Sequence, residues 1–272
     1  MTSGIGKESY AAASGRLASH VQRAEPTVAV AIGEEILAVA RLLCDQPRLR
    51  RTLSDSGRTG DARVGLLRSL LEERVRGETF ETIATVVGGR WANAGEFLDA
   101  TERLGVEALL IAAERAGELA EVEDELFRFG QIVAGDSRLA GVLGDDDAGA
   151  RRESLVGDLL ADRCRPATLR LARLALTGLG GRGFAGSVTW LVEAAAKRRE
   201  RTVAYVTTAV PLTAAEEQRM ASLLTGLYGM ALSLKAAIDP RVIGGVRVQV
   251  GSDVYDGTVQ RLLANARHVM TR

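Results

Sequence analysis

The pattern with the most chemical reach in this chain is Gly178-Leu179-Gly180-Gly181-Arg182-Gly183, which satisfies the spacing GxGxxG. In a dinucleotide site such glycines follow a strand and let the backbone approach a pyrophosphate at a helix start. Here they follow Leu169-Arg170-Leu171-Ala172-Arg173-Leu174-Ala175-Leu176, a helical pattern, so a glycine C-cap and an inter-helix loop is the better reading. A phosphate-binding P-loop is absent: the nearest segment, Gly4-Ile5-Gly6-Lys7-Glu8, lacks the first-glycine spacing and the hydroxyl for magnesium. His20 and His268 belong to no HExxH pattern and read as surface residues, and the serines occur without GxSxG. Asp145-Asp146-Asp147 lies among glycines and reads as a solvated turn, because carboxylates adjacent in sequence rarely converge on a metal. Cys44 and Cys164 make no CxxC and read as small buried hydrophobes of a reducing compartment. Lys197-Arg198-Arg199-Glu200-Arg201, the densest basic run, reads as a solvated helix end favoured by the helix dipole. No residue is thus assigned to catalysis, to a metal or to a cofactor, and the expectation is a protein that is not an enzyme.

A chain of 272 residues, 46% hydrophobic but only 4% aromatic, favours thin helix-on-helix packing over an aromatic-lined pocket. Thirty-five basic residues balance thirty-five acidic ones, so no global field draws the chain to nucleic acid or anionic lipid. The polar amino terminus does not resemble a secretory signal, and apolar runs such as Val28 to Ile32 and Ala108 to Ala113 fall short of the ~20 residues of a membrane span. Membrane attachment is expected only through another protein.

From about residue 10 to 200 apolar residues return at helical spacing, with Pro26, Pro47 and Pro166 placed to begin or end helices. Ile32, Ile36, Leu37, Val39, Ala40, Leu42 and Leu43 stripe one helix, and Val64, Leu66, Leu67, Leu70 and Leu71 another. Sliding the first half along the second by about ninety residues aligns Asp45 to Leu53 with Gly135 to Leu143, and Leu66, Leu67, Leu70, Leu71 with Leu155, Val156, Leu159, Leu160. Gly88-Gly89-Arg90 then echoes Gly180-Gly181-Arg182. The shared order favours an internal duplication.

Near residue 200 the period changes to two. Arg201 to Thr208 reads as a strand, Thr213 and Glu216 as a capping box, and Met220, Leu223, Leu224, Leu227 and Met230 as one apolar helical face. Ala231 to Ile238 reads as a second strand, and Val246, Val248 and Val250 begin a hairpin that turns at Gly251-Ser252-Asp253 and continues through Val254 and Tyr255. Val259, Leu262, Leu263 and Ala266 suggest a closing helix. The expected fold is mainly α: tandem helical bundles at 1–100 and 101–200, followed by a small mixed α/β module at 201–272.

The run Asp239 to Leu262 is similar to the carboxy-terminal signature of the ATP synthase delta subunit family, which includes the mitochondrial oligomycin-sensitivity-conferring protein. Asp239, Ile243, Gly244, Gly245, Gly251, Asp256, Gly257 and Leu262 match its pattern, and Thr258 stands where serine is usual. Ala209-Val210-Pro211-Leu212-Thr213 resembles the family's strand-to-helix turn, and residues 101–200 its amino-terminal six-helix bundle; residues 1–100 look like an extra copy, as in longer actinobacterial-looking forms. The resemblance implies a stator of a bacterial F-type ATP synthase, on the cytoplasmic face of the membrane. It also implies a groove between the first and fifth helices of the bundle, at about 104–116 and 167–178, that takes the amino-terminal helices of alpha subunits. Leu104, Leu109, Leu110, Leu169, Ala172 and Leu176 are the candidates for it, some as core, and the carboxy-terminal module would meet b-type stalk helices. Without the signature, the same helices would suit a helical-repeat scaffold of another assembly.

Overall fold

A computed structural model describes residues 4–145, 148–199, 202–228, 232–250, 253–259 and 261. Among these residues the chain forms twelve α-helices and a four-stranded sheet. Helices α1 (Gly4–Val21), α2 (Pro26–Asp45), α3 (Pro47–Ser54), α4 (Gly60–Leu71), α5 (Gly77–Gly88) and α6 (Ala94–Arg115) make the first bundle. Helices α7 (Leu119–Gly135), α8 (Ser137–Gly144), α9 (Gly149–Leu160), α10 (Pro166–Ala175) and α11 (Phe184–Arg198) complete a second around the same α6. Pro26, Pro47 and Pro166 each stand in the first turn of a helix, where the missing N–H costs nothing.

One helix serves both bundles. Phe97, Ala100, Leu104, Ala108 and Ile111 of α6 point into the first core, while Val106, Leu109, Leu110 and Ala113 point into the second. An apolar stripe on two opposite faces is what a helix buried between two layers needs. Residues 100 and 101, between which the sequence reading divides the bundles, therefore lie within one continuous helix.

The two bundles repeat side-chain contacts, not merely helix order. Glu35 of α2 accepts hydrogen bonds from Thr79 Oγ1 (2.6 Å) and the Arg76 N–H (3.0 Å) at the start of α5. About ninety residues on, Glu125 of α7 accepts the same pair from Thr168 Oγ1 (2.5 Å) and the Arg165 N–H (2.9 Å) at the start of α10. In both, a carboxylate sits where the helix presents unpaired N–H groups and positive partial charge. Likewise buried Arg63 donates to the Leu53 carbonyl at 3.4 Å and buried Arg152 to the Leu143 carbonyl at 3.3 Å, each closing the end of the short third helix of its bundle.

The echo at the glycines is looser. Leu176 and not a glycine caps α10; Gly178 (φ 72°) leads into the 3-10 turn Leu179–Gly181, which holds Gly180 (φ 59°), whereas Gly89 directly caps α5 and is extended.

Beyond α11 come β1 (Thr202–Thr208), α12 (Ala214–Tyr228), β2 (Leu232–Ile238), β3 (Val246–Val250) and β4 (Asp253–Asp256), in the sheet order β2-β1-β3-β4. Strands β1 and β2 are parallel and joined through α12; β3 pairs antiparallel with β1 and β4 with β3. The capping box forms, with Glu216 Oε2 accepting from the Thr213 N–H at 2.8 Å and Thr213 Oγ1 from the Glu216 N–H at 3.3 Å. Met220 and Leu224 of α12 pack on one sheet face. On the other face Val203 enters the core of the second bundle and Tyr205 packs against it, so the sheet is sandwiched between α12 and the helices.

Candidate functional site

The glycine loop is not shaped for a phosphate. The Gly180 N–H donates to Glu102 Oε2 at 2.8 Å, and Asp99 lies beside it, so a carboxylate already holds the amide that a pyrophosphate would need. Burial raises the Glu102 carboxyl above its usual range, and the Gly180 hydrogen bond opposes that rise. Cys44 is exposed, contrary to the buried position expected of it: Ile36, Val39, Ala40 and Leu43 turn inward on α2 and leave position 44 outside. Cys164 is half-buried, donating weakly to the Leu160 carbonyl, and burial pushes its thiol up.

The carboxy-terminal signature is a backbone clasp. Gly244 and Gly245 have φ of 78° and 79°, a region that favours glycine, and a Cβ on Gly245 would fall 2.4 Å from the Gly257 carbonyl oxygen. The Gly257 N–H donates to the Val246 carbonyl at 2.9 Å, and the Val259 N–H to the Gly244 carbonyl at 3.2 Å. Asp256 accepts from Thr258 Oγ1 (2.7 Å) and its N–H (3.1 Å) and pairs with Arg247 at 3.1 Å; these hold its carboxyl below the usual range, the Thr258 hydroxyl most strongly. Asp239 pairs with Arg241 at 3.0 Å, while its own N–H donates to the Thr208 carbonyl, continuing the β1–β2 ladder. Ile243 is exposed. Gly251, Leu262 and Met230 lie outside the described residues.

A groove runs between the two bundles. In the first bundle α1 lies closely along α5; in the second the corresponding pair, α6 and α10, meets only sparsely. The space between is a cavity of about 570 Å³, walled by α2 (Leu37, Ala38, Arg41) and by α10 (Arg173, Leu174) with Thr177 just beyond it, and floored by Leu109 of α6. Helix α2 reaches it because α2 and α6 cross at Gly33 and Gly105: a Cβ on Gly105 would meet Leu37 at 2.5 Å. That close crossing puts Leu37 against the core of the second bundle. Arg170 of α10 pairs with Glu34 of α2 across the groove at 2.9 Å.

Of the six residues proposed for a groove, Leu104 is sealed in the first core and Leu110, Ala172 and Leu176 in the second. Leu109 lines the floor, and Leu169 is half-buried on α10. The α2 wall has no counterpart among the sequence-derived candidates; the signal was Leu37, which lies off the inward stripe of Ile36, Val39 and Leu43.

A second apolar surface lies on the carboxy-terminal module. Leu223 and Leu227 of α12 are 66% and 77% exposed, so the helix stripe divides: Met220 and Leu224 pack inward and these two face outward. Val210, Ile238 and Tyr255 are exposed on the same module.

Comparison with known proteins gives this geometry a setting. Residues 106–270 match the family described as ATP synthase delta (OSCP) subunit. A protein of Salinispora arenicola named ATP synthase subunit delta is 49% identical over the full length of both chains. The chain belongs to the ATP synthase delta (OSCP) subunit family. Like-named proteins of Kineococcus radiotolerans and Streptomyces avermitilis are 40% and 39% identical, covering 98% of this chain and 97% and 98% of their own. The family match begins inside α6, so α1 to α5, with the α2 wall of the groove, lie outside it, yet they are shared with these full-length delta relatives. Among the described residues no helix is long and apolar enough to cross a membrane.

Proposed function

We propose that this delta-type chain is the stator connector of an F-type ATP synthase, holding the catalytic head against rotor torque by way of the peripheral stalk. It is a structural subunit and not a catalyst. The amino-terminal helices of the head's alpha subunits seat in the α2–α6–α10 groove, and the b-type stalk meets the outward face of α12. The chain is held at the cytoplasmic face of the membrane through the complex alone. Residues 1–100 and 101–200 act as paired head-facing bundles and 201–272 as the stalk-facing module. The observation that carries this reading is the open α6–α10 groove in a chain of the delta family: an amphipathic helix needs such a trough with apolar floor and polar rim.

The test separates the two surfaces. Ala38→Arg and Thr177→Arg place bulk on the exposed groove rim without touching either core; Leu223→Asp with Leu227→Asp puts charge on the outer face of α12. Captured from detergent-solubilised membranes, the rim variants should lose alpha subunits and retain b, and the α12 variant should lose b and retain alpha. Equal recovery of both partners by all variants would overturn the assignment.

A further inference from the structure

We propose that Glu123 is the pin that fixes the carboxy-terminal module on the second bundle, so that bundles and module form a single stiff lever and not two arms on a hinge. Glu123 is fully buried on α7, within the stripe of Leu119, Val122, Leu126 and Phe129. An ionised carboxylate in such a place is costly unless it is paired and hydrogen-bonded. Its partners all come from other elements. Arg199, just past α11, donates to Oε2 at 2.6 Å; Lys235 Nζ of β2 stands 3.0 Å from Oε1; and the Ser233 hydroxyl of β2 donates to that same oxygen.

Lys235 is itself 3% exposed, which leaves its ammonium dependent on α7 for compensation. It also pairs with Asp124 of α7 and stands 5.8 Å from the Phe127 ring centroid. Around this cluster Phe127 packs against Tyr205 with centroids 6.3 Å apart, and Val203 is embedded in the bundle core. The bundle thus supplies the carboxylates and the Arg199 guanidinium, and the module the Lys235 ammonium and the Ser233 hydroxyl, with Glu123 and Lys235 at the buried centre.

A buried pair of this kind adds little net stability over an apolar equivalent, but removing one partner strands the other. It therefore fixes geometry more than it adds stability. That the lever carries torque rests on the stator reading; its stiffness does not, and it is read on the isolated full-length chain. Exposed Cys44 on α2 and a cysteine introduced at exposed Ser222 on α12, in a Cys164→Ser background, take a donor and acceptor dye. Single-molecule energy transfer should give one narrow distribution. Glu123→Ala should broaden it, the docked-to-undocked ratio falling roughly 100- to 1,000-fold. Glu123→Leu with Lys235→Met, which replaces the pair by apolar packing, should restore the narrow distribution, and circular dichroism of each variant reads whether the helices persist. A broad distribution in the parent, or a narrow one in Glu123→Ala with its helices intact, would overturn the pin. So would a Glu123→Leu with Lys235→Met variant that stays broad although folded.

Discussion

If α6 belongs to both cores, a cavity cut on either of its faces must weaken both bundles together. Leu104 is fully buried toward the first core and Leu110 is 3% exposed toward the second, so Leu104→Ala and Leu110→Ala each remove buried methyl groups from a different bundle through the same helix. Buried Leu→Ala changes cost about 2–5 kcal/mol, depending on how far the site collapses. For helical units of this size, each kcal/mol lowers the midpoint by roughly 2–4 °C, so either variant should fall by ~4–20 °C. The assay is differential scanning calorimetry with circular dichroism at a helix wavelength. The structure predicts that the helical part melts in one transition and that both variants move it whole. Two transitions, of which Leu104→Ala moves only one and Leu110→Ala only the other, would refute the shared core.

Three further outcomes follow from the same geometry. Thr79→Val and Thr168→Val remove the equivalent hydroxyl–carboxylate hydrogen bonds to Glu35 and Glu125 at the starts of α5 and α10, and each should cost about 1 kcal/mol in urea unfolding; a loss in only one would mean the two contacts are not equivalent. Gly245→Ala forces a side chain into positive φ and against the Gly257 carbonyl, so limited proteolysis should attack the carboxy-terminal module first, at a cost of about 1–3 kcal/mol or more. The Asp256 carboxyl, held down by Thr258 and Arg247, should titrate below the ordinary ~3.9 in an NMR pH series. Because its folded value lies below the unfolded one, its contribution is present above the unfolded value and is lost as pH falls through the folded one. An Asp256 midpoint at or above the ordinary value would contradict the clasp.

Much of the architecture was legible in residue order. Helical spacing, the prolines at helix starts, the Thr213–Glu216 box and the alternation of Val246, Val248 and Val250 each act over a few residues, and each element forms where those local rules place it. What escaped was tertiary. Spacing alone cannot say that Leu104 and Leu110 look into different cores, because a helix striped on two faces reads like one with a single broad face. Cys44 was misplaced for the same reason, sitting beside inward Leu43 but turned outward. The groove wall on α2 depends on the Gly33–Gly105 crossing, a close approach between helices far apart in sequence. Glu123 carried a signal, an acidic residue amid the apolar stripe of α7, but its partners on β2 lie more than a hundred residues away.

The stator account is tested most directly in inverted membrane vesicles that lack this chain and are then supplied with it, with ATP hydrolysis and proton uptake measured together. The account predicts that vesicles without it take up few protons for the ATP they hydrolyse, and that the added chain restores the uptake. Undiminished proton uptake in its absence would contradict a role in resisting torque.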